Sequence, residues 1–187
     1  VSAHAAARAD RLAARLAARG FGAGGGVVLI DGGAGSGKTT LARRLAHRLG
    51  VGVVHLDALY PGWDGLAAGA LAAETDVLGR GGYRRYDWAL GEPAEWVSVD
   101  LTAPLVIEGC GAITAGSLAA ARQVGPAIAV WVECAEPERR ARALERDGEL
   151  FRPHWDRWAA QEASHLVAHA PIALAREIVH TGELTPR

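Results

Sequence analysis

Residues 27–45 read VVLIDGGAGSGKTTLARRL. An apolar run is followed by Gly32, Gly33, Ala34, Gly35, Ser36 and Gly37, then by Lys38, Thr39 and Thr40, and then by a basic pattern of helical spacing. Glycine weakens regular structure, so four of them between a strand and a helix serve a local purpose. They admit backbone conformations closed to other residues and let successive N–H groups turn inward on something negative. The spacing Gly32-x-x-x-x-Gly37-Lys38-Thr39, between strand and helix, is that of a phosphate-binding loop, or P-loop. A helix starting near Thr39 adds its positive end to the same place. Lys38 is expected to reach the β- and γ-phosphates of ATP, and the Thr39 hydroxyl to ligate Mg²⁺.

What becomes of the γ-phosphate depends on other strand ends. VVHLDALY places Asp57 at the end of one strand, and PLVIEGCG places Glu108 at the end of another. Two carboxylates beside a triphosphate suggest two jobs: one orients Mg²⁺ and its waters, the other takes a proton from an attacking hydroxyl. In EPERRARALERDGE, Arg139, Arg142 and Arg146 share one helical face. Aimed at the phosphates, they would neutralise the transferring group as a lid over 135–152. The same stretch also reads as an exposed helix with i,i+4 pairs, Glu138–Arg142 and Glu136–Arg140.

These residues need a scaffold. Apolar runs at 27–30, 53–56, 105–107, 128–132 and 178–180 read as strands. Helical patterns cover 39–49, about 64–79, 93–101, 115–123, 135–147 and 155–169. Strands without polar alternation fit a parallel sheet covered on both faces. The expected fold is therefore a three-layer α/β/α P-loop fold with a mostly parallel five-stranded sheet, in one domain over 1–187. FGAGGG at 21–26 reads as the entry to the first strand. The Ala/Arg-rich segment 1–20 has Leu12 and Leu16 at helical spacing before Gly20, which fits an amphipathic N-terminal helix better than a transit peptide. A formal net charge of −1 gives no field to recruit nucleic acid or an acidic membrane. Cys110 and Cys134 match neither a disulfide framework nor a metal spacing and read as small, semi-buried thiols. His154, His165 and His169 fit no zinc pattern. No apolar stretch has the length of a membrane span, and a cytoplasmic protein is expected.

GGAGSGKTT, LDALY, YRRYDW, VIEG and RRARALERD follow one another in an order that resembles the uridine kinase–phosphoribulokinase group of P-loop kinases. The resemblance covers residues 27–150. It implies that Asp57 is the base toward the acceptor hydroxyl, with Tyr60 near the acceptor. It also implies that Glu108 has a Mg²⁺-linked role, that Asp87 in Tyr86-Asp87-Trp88 contacts a sugar, and that Arg139, Arg142, Arg146 and Asp147 form the lid. VHTGEL at 179–184 resembles the last strand and loop that flank the adenine. Only 19 residues separate Trp88 from Glu108, which leaves no room for the family's long insertion with its hairpin over the base. Ala143 stands where the family carries a further arginine. The implied activity is transfer of the γ-phosphoryl of ATP to a hydroxyl of a nucleoside-like or other small metabolite. A nucleoside monophosphate kinase, or a nucleotide-dependent switch without a small acceptor, are the alternatives. Trp63, Trp88, Trp155 and Trp158 are candidates for stacking on a ring, although core packing is the commoner use of Trp.

Overall fold

The computed structural model describes residues 3–18, 21 and 25–181. Parts of three sequence expectations lie outside the described residues: the ends of the 1–20 helix, positions 22–24 of the glycine-rich entry, and 182–184 of the adenine-flanking loop.

Strands β1 (Val27–Asp31), β2 (Gly52–His55), β5 (Leu105–Glu108), β6 (Ala127–Glu133) and β7 (Glu177–His180) form one sheet. Its order is β2-β5-β1-β6-β7 and every pairing is parallel. Successive strand residues face opposite sides. Val27 and Leu29 therefore enter one core, while Val28 and Ile30 enter the other. Strands β1 and β5 meet no water on either face and so need continuous apolar runs, and those runs are what made them legible.

The second core is closed by α1 (Ala3–Ala17) and α2 (Lys38–Leu49), through Leu12, Leu16, Leu41 and Leu45. The first is closed by α3 (Leu66–Ala72, continued as a π-helical turn over Ala73–Leu78), α4 (Ala115–Val124) and α6 (Trp155–His169). Helix α5 (Glu136–Asp147) leaves the end of β6 and crosses the P-loop, and the short α7 (Pro171–Leu174) leads into β7. Thr114 and Ser117 form a reciprocal cap on α4. No helix of the described residues is long and apolar enough to cross a membrane.

Segment 93–101 is not a helix. It falls largely in β4 (Glu92–Ser98), which pairs antiparallel with β3 (Gly82–Asp87). Pro93, Ala94 and Glu95 read locally like the start of a helix, but cross-strand partners decide otherwise. Arg85 grips Glu95 with two hydrogen bonds of 2.6 and 3.0 Å, Tyr83 faces Val97, and Gly91 turns the chain at φ 70°. A hairpin is therefore present, with the Tyr-Asp motif on its first strand. It fits into 17 residues because its turn is tight, with Asp87 accepting from the Ala89 and Leu90 amides.

Gly82 tests this arrangement. A Cβ there would stand 2.6 Å from Trp96 Nε1 and from the Val97 carbonyl oxygen. Gly82→Val should speed amide hydrogen exchange across 83–98 and leave the amides of β1 protected. Unchanged exchange in the hairpin would show that its packing does not depend on this contact.

Candidate active site

In an open parallel sheet the site lies beyond the carboxyl ends of the strands, where the order reverses. Here that place is the end of β1, between β5 and β6. The chain leaves β1 at Asp31 and passes Gly32, Gly35 and Gly37 at φ 151°, 77° and 94° before α2 begins. The first helical bond joins the Leu41 amide to the Gly37 carbonyl at 3.0 Å. The amides of Lys38, Thr39 and Thr40 thus have no acceptor within the helix and offer a positive end.

Lys38 is buried. Its Nζ donates to the Gly33 carbonyl at 3.0 Å and lies 3.4 Å from Cys110 Sγ. Burial alone would lower its pKa, but the negative charges of Glu108, Glu162 and Asp31 raise it, so the ammonium stays charged. Burial pushes the Cys110 thiol up, so it sits beside Lys38 as a neutral group.

Glu108 is 2% exposed at the end of β5. Its Oε1 accepts from Thr39 Oγ1 at 3.0 Å and lies 2.5 Å from His55 Nδ1. Burial would raise its pKa, yet the His55 hydrogen bond, Lys38 and Thr39 outweigh that and hold the carboxyl below the ordinary value. Asp57 behaves in the opposite way. It stands on a single 3₁₀ turn beyond β2, open to the cleft but surrounded by protein on its other sides. That enclosure raises its pKa first and the Glu108 charge adds to it, while Lys38, Arg146 and His55 oppose. The two carboxylates thus sit in environments that push them apart, an acid–base pattern typical of active sites.

The three arginines of α5 leave their shared face for three destinations. Arg139 Nη1 donates to the Ala34 carbonyl at 2.9 Å and to Glu162 Oε2 at 3.2 Å. Arg142 pairs with Glu138 and reaches the Thr181 carbonyl at 3.1 Å, at the exit of β7. Arg146 pairs with Asp147 and lies in the field of Asp57 and Glu108. The i,i+4 pair expected of an exposed helix is therefore present at Glu138–Arg142.

Two positions expected at the acceptor have partners within the protein. Tyr60 is 1% exposed and donates its hydroxyl to the Cys110 carbonyl at 2.8 Å; the apolar residues around it draw the ring into the core. Asp87 is occupied by the hairpin turn and by Arg85 at 3.7 Å. The neighbour of Asp57 is instead Trp88, whose Nε1 donates to the Asp57 backbone carbonyl at 2.8 Å. Trp88 meets Trp63 edge-on with centroids 4.9 Å apart, and Trp63 stacks on His154 at 4.2 Å and on Phe151 at 5.4 Å. Trp155 and Trp158 are buried packing residues.

Sequence reasoning missed Asp31, Glu162 and His165. Asp31 Oδ1 accepts from the Gly32 and Gly111 amides at 2.6 and 3.0 Å. Its Oδ2 accepts from the Ile113 amide at 2.9 Å and lies 3.2 Å from His165 Nε2. A signal existed: Trp155, Trp158, Glu162 and His165 form the buried stripe of α6, and a glutamate on an apolar face needs a partner. A cavity of about 240 Å³ lies behind the loop, walled by Leu66, Trp131, Cys134, His165 and Ile172; it reaches neither Asp57 nor Lys38.

No protein-family model matches the sequence. The chain is 34% identical over 113 residues to a shikimate kinase of Corynebacterium diphtheriae, a match covering 60% of this chain and 59% of that protein's length. Among solved structures it is similar to a possible uridine kinase from Bacillus stearothermophilus (TM-score 0.60, 21% identity, covering 92% and 97% of the two chains). It is also similar to a shikimate kinase from Acinetobacter baumannii in complex with shikimate (TM-score 0.50, 19% identity, 84% of each chain). A gluconokinase from Sinorhizobium meliloti aligns equally well (TM-score 0.50, 18% identity, 87% and 84%). The parallel sheet, its P-loop and its covering helices are thus those of the P-loop kinase fold.

Lys38 gives the direct test of the loop. Lys38→Ala should keep the circular-dichroism spectrum and weaken ATP binding by about 100-fold, the scale of a lost charged contact with uncompensated carboxylates left behind. Wild-type ATP affinity in the folded variant would rule out the phosphate site.

Proposed function

We propose that this chain is an ATP-dependent kinase that transfers the γ-phosphoryl group to a hydroxyl of a small metabolite. One observation carries the reading. A lysine, a carboxylate held ionised (Glu108) and a second carboxylate with a raised pKa (Asp57) meet at neighbouring strand ends around a P-loop. The similarity to shikimate kinase, gluconokinase and possible uridine kinase structures supports the same class of reaction.

The loop amides and Lys38 receive the β- and γ-phosphates, with Ser36 and Gly37 carrying the backbone round them. Thr39 and Glu108 present hard oxygen donors 3.0 Å apart, which suits Mg²⁺; when bound, the ion would neutralise phosphate charge. Asp57 accepts the proton of the acceptor hydroxyl. Its raised pKa makes it a stronger base than an ordinary aspartate. Arg146 supplies positive charge opposite the moving phosphoryl group as 135–152 closes as a lid, and Arg142 faces the nucleoside end of ATP. The acceptor lies between Asp57 and the aromatic wall of Trp63, Trp88 and His154. Arginines around that wall already have carboxylate partners, Arg157 with Asp64, Arg85 with Glu95 and Arg152 with Glu149. This favours a nucleoside-like, uncharged acceptor over a phosphorylated one. The proposed compartment is the cytoplasm, where ATP is supplied.

The first experiment is an ATP-consumption screen over nucleosides, nucleotides, sugars and aromatic alcohols, with the phosphorylated product identified by mass. ATP hydrolysis that no acceptor stimulates would sink the kinase reading. With an acceptor in hand, Asp57→Asn should lower kcat by about 10²–10⁴-fold with ATP affinity within a few-fold. The acid limb of the wild-type pH profile should fall at a pH above the ordinary aspartate value and vanish in Asp57→Asn. The same shift fixes a stability sign. A raised folded-state pKa means the folded chain favours protonated Asp57, so the stabilisation is present at low pH and lost as pH rises through that pKa. Asp57→Asn should therefore melt no lower than wild type at pH 7, whereas a purely structural Asp57 would make it melt lower. Arg146→Ala should reduce kcat by about 100-fold, or ~2.7 kcal/mol of barrier, with little change in ATP affinity.

A further inference from the structure

Ala34 lies midway along the P-loop, between two glycines, and both peptide groups around it are held from outside. Its amide donates to Glu162 Oε1 at 2.6 Å. Its carbonyl accepts from Arg139 Nη1 at 2.9 Å, and Arg139 Nη1 also donates to Glu162 Oε2 at 3.2 Å. In a trans peptide the C=O and N–H point in opposite directions. With the Ala34 N–H drawn outward to Glu162, the Gly33 carbonyl of the same peptide points inward, where it receives Lys38 Nζ at 3.0 Å. With the Ala34 carbonyl drawn outward to Arg139, the Gly35 N–H of the next peptide points inward.

Gly33 and Gly35 have no side chain to resist a flip of either peptide, and Gly35 sits at φ 77°. Their missing side chains have another use. A Cβ at Gly33 would overlap the Arg139 guanidinium, and one at Gly35 would overlap the Arg139 carbonyl. Those two glycines let α5 lie flush on the loop.

We infer that Glu162, acting with Arg139, is a positioning residue for the nucleotide: the pair locks the two peptides flanking Ala34 so that the Gly35 amide faces the phosphates and the Gly33 carbonyl holds Lys38. This rests on the reading that the loop binds a nucleotide. It assigns Arg139 to the shape of the loop rather than to the charge of the reacting group.

Glu162→Gln is the decisive variant, because it keeps the size of the side chain and separates two explanations by sign. If Glu162 acts only as a nearby negative charge, its neutralisation should tighten binding of an anion. If it is half of the lock, the Gln amide meets the Arg139 donor, the Ala34 peptide loosens, and ADP binding weakens by about tenfold. Calorimetry with Mg²⁺–ADP, well below the melting temperature, would be run on wild type, Glu162→Gln, Arg139→Ala and the double variant. Because both residues act on one lock, the double variant should lose no more than the larger single loss. Amide exchange without nucleotide should show the Ala34 N–H protected in wild type and exposed in Glu162→Gln. Unchanged or tighter ADP binding in Glu162→Gln would overturn the inference, as would losses that multiply in the double variant. A lowered melting temperature with wild-type affinity would also overturn it, leaving Glu162 a packing residue. Failure of wild type to bind ADP would remove the nucleotide reading itself, and the Ala34 exchange result would then still show whether the lock exists.

Discussion

The segment from Gly32 to Gly37 contains four glycines, so its own side chains set almost none of its shape, yet its use requires a single arrangement of amides. That arrangement is imposed from beneath and from outside. Asp31 ties the Gly32 amide to those of Gly111 and Ile113, joining the start of the loop to the chain beyond β5. Glu162 and Arg139 hold the middle, and Thr181 Oγ1 closes the far side on the Ser36 carbonyl at 2.5 Å. Buried carboxylates are costly unless each oxygen finds donors, so these contacts satisfy the acids and shape the loop at once.

The same economy of charge extends to the chemistry. Lys38 stands among Glu108, Glu162 and Asp31, which keep it protonated in a place where burial alone would favour losing the proton. Glu108 spends its lone pairs on Thr39 and His55 and stays an anion. Asp57 is enclosed by protein, which raises its pKa, and Glu108 adds to that as a like charge. A few ångströms of placement thereby shift the pKa values of two chemically similar side chains in opposite directions.

Much of this was legible in the chain, and the parts that were not share a cause. The P-loop and the strands declare themselves over a few consecutive residues, so β1 and its glycines could be read directly. Asp57 and Glu108 follow from the rule about strand ends. Glu162 reaches Ala34 across 128 positions, and His165 reaches Asp31 across 134, so no local pattern joins them. The hairpin was hidden for a related reason. Glu92, Ala94 and Glu95 suit a helix when considered alone, and only the facing Arg85 and Tyr83 make them a strand. Tyr60 failed in the opposite direction: its motif suggested a substrate contact, but burial against the α3 and α6 side chains claimed it.

One feature at the mouth of the cleft has a use of its own. Trp63 and Trp88 stand 4.9 Å apart with their planes at 62°, and Trp88 is 41% exposed with its indole N–H on the backbone of Asp57. Two indoles at that separation and tilt share their electronic excitation, which splits the ultraviolet circular-dichroism band into a couplet whose sign follows their mutual orientation. The protein therefore carries an unlabelled optical probe beside Asp57: a molecule that parts the two rings erases the couplet, and one that merely adds a neighbour shifts the emission of Trp88 and leaves the couplet in place.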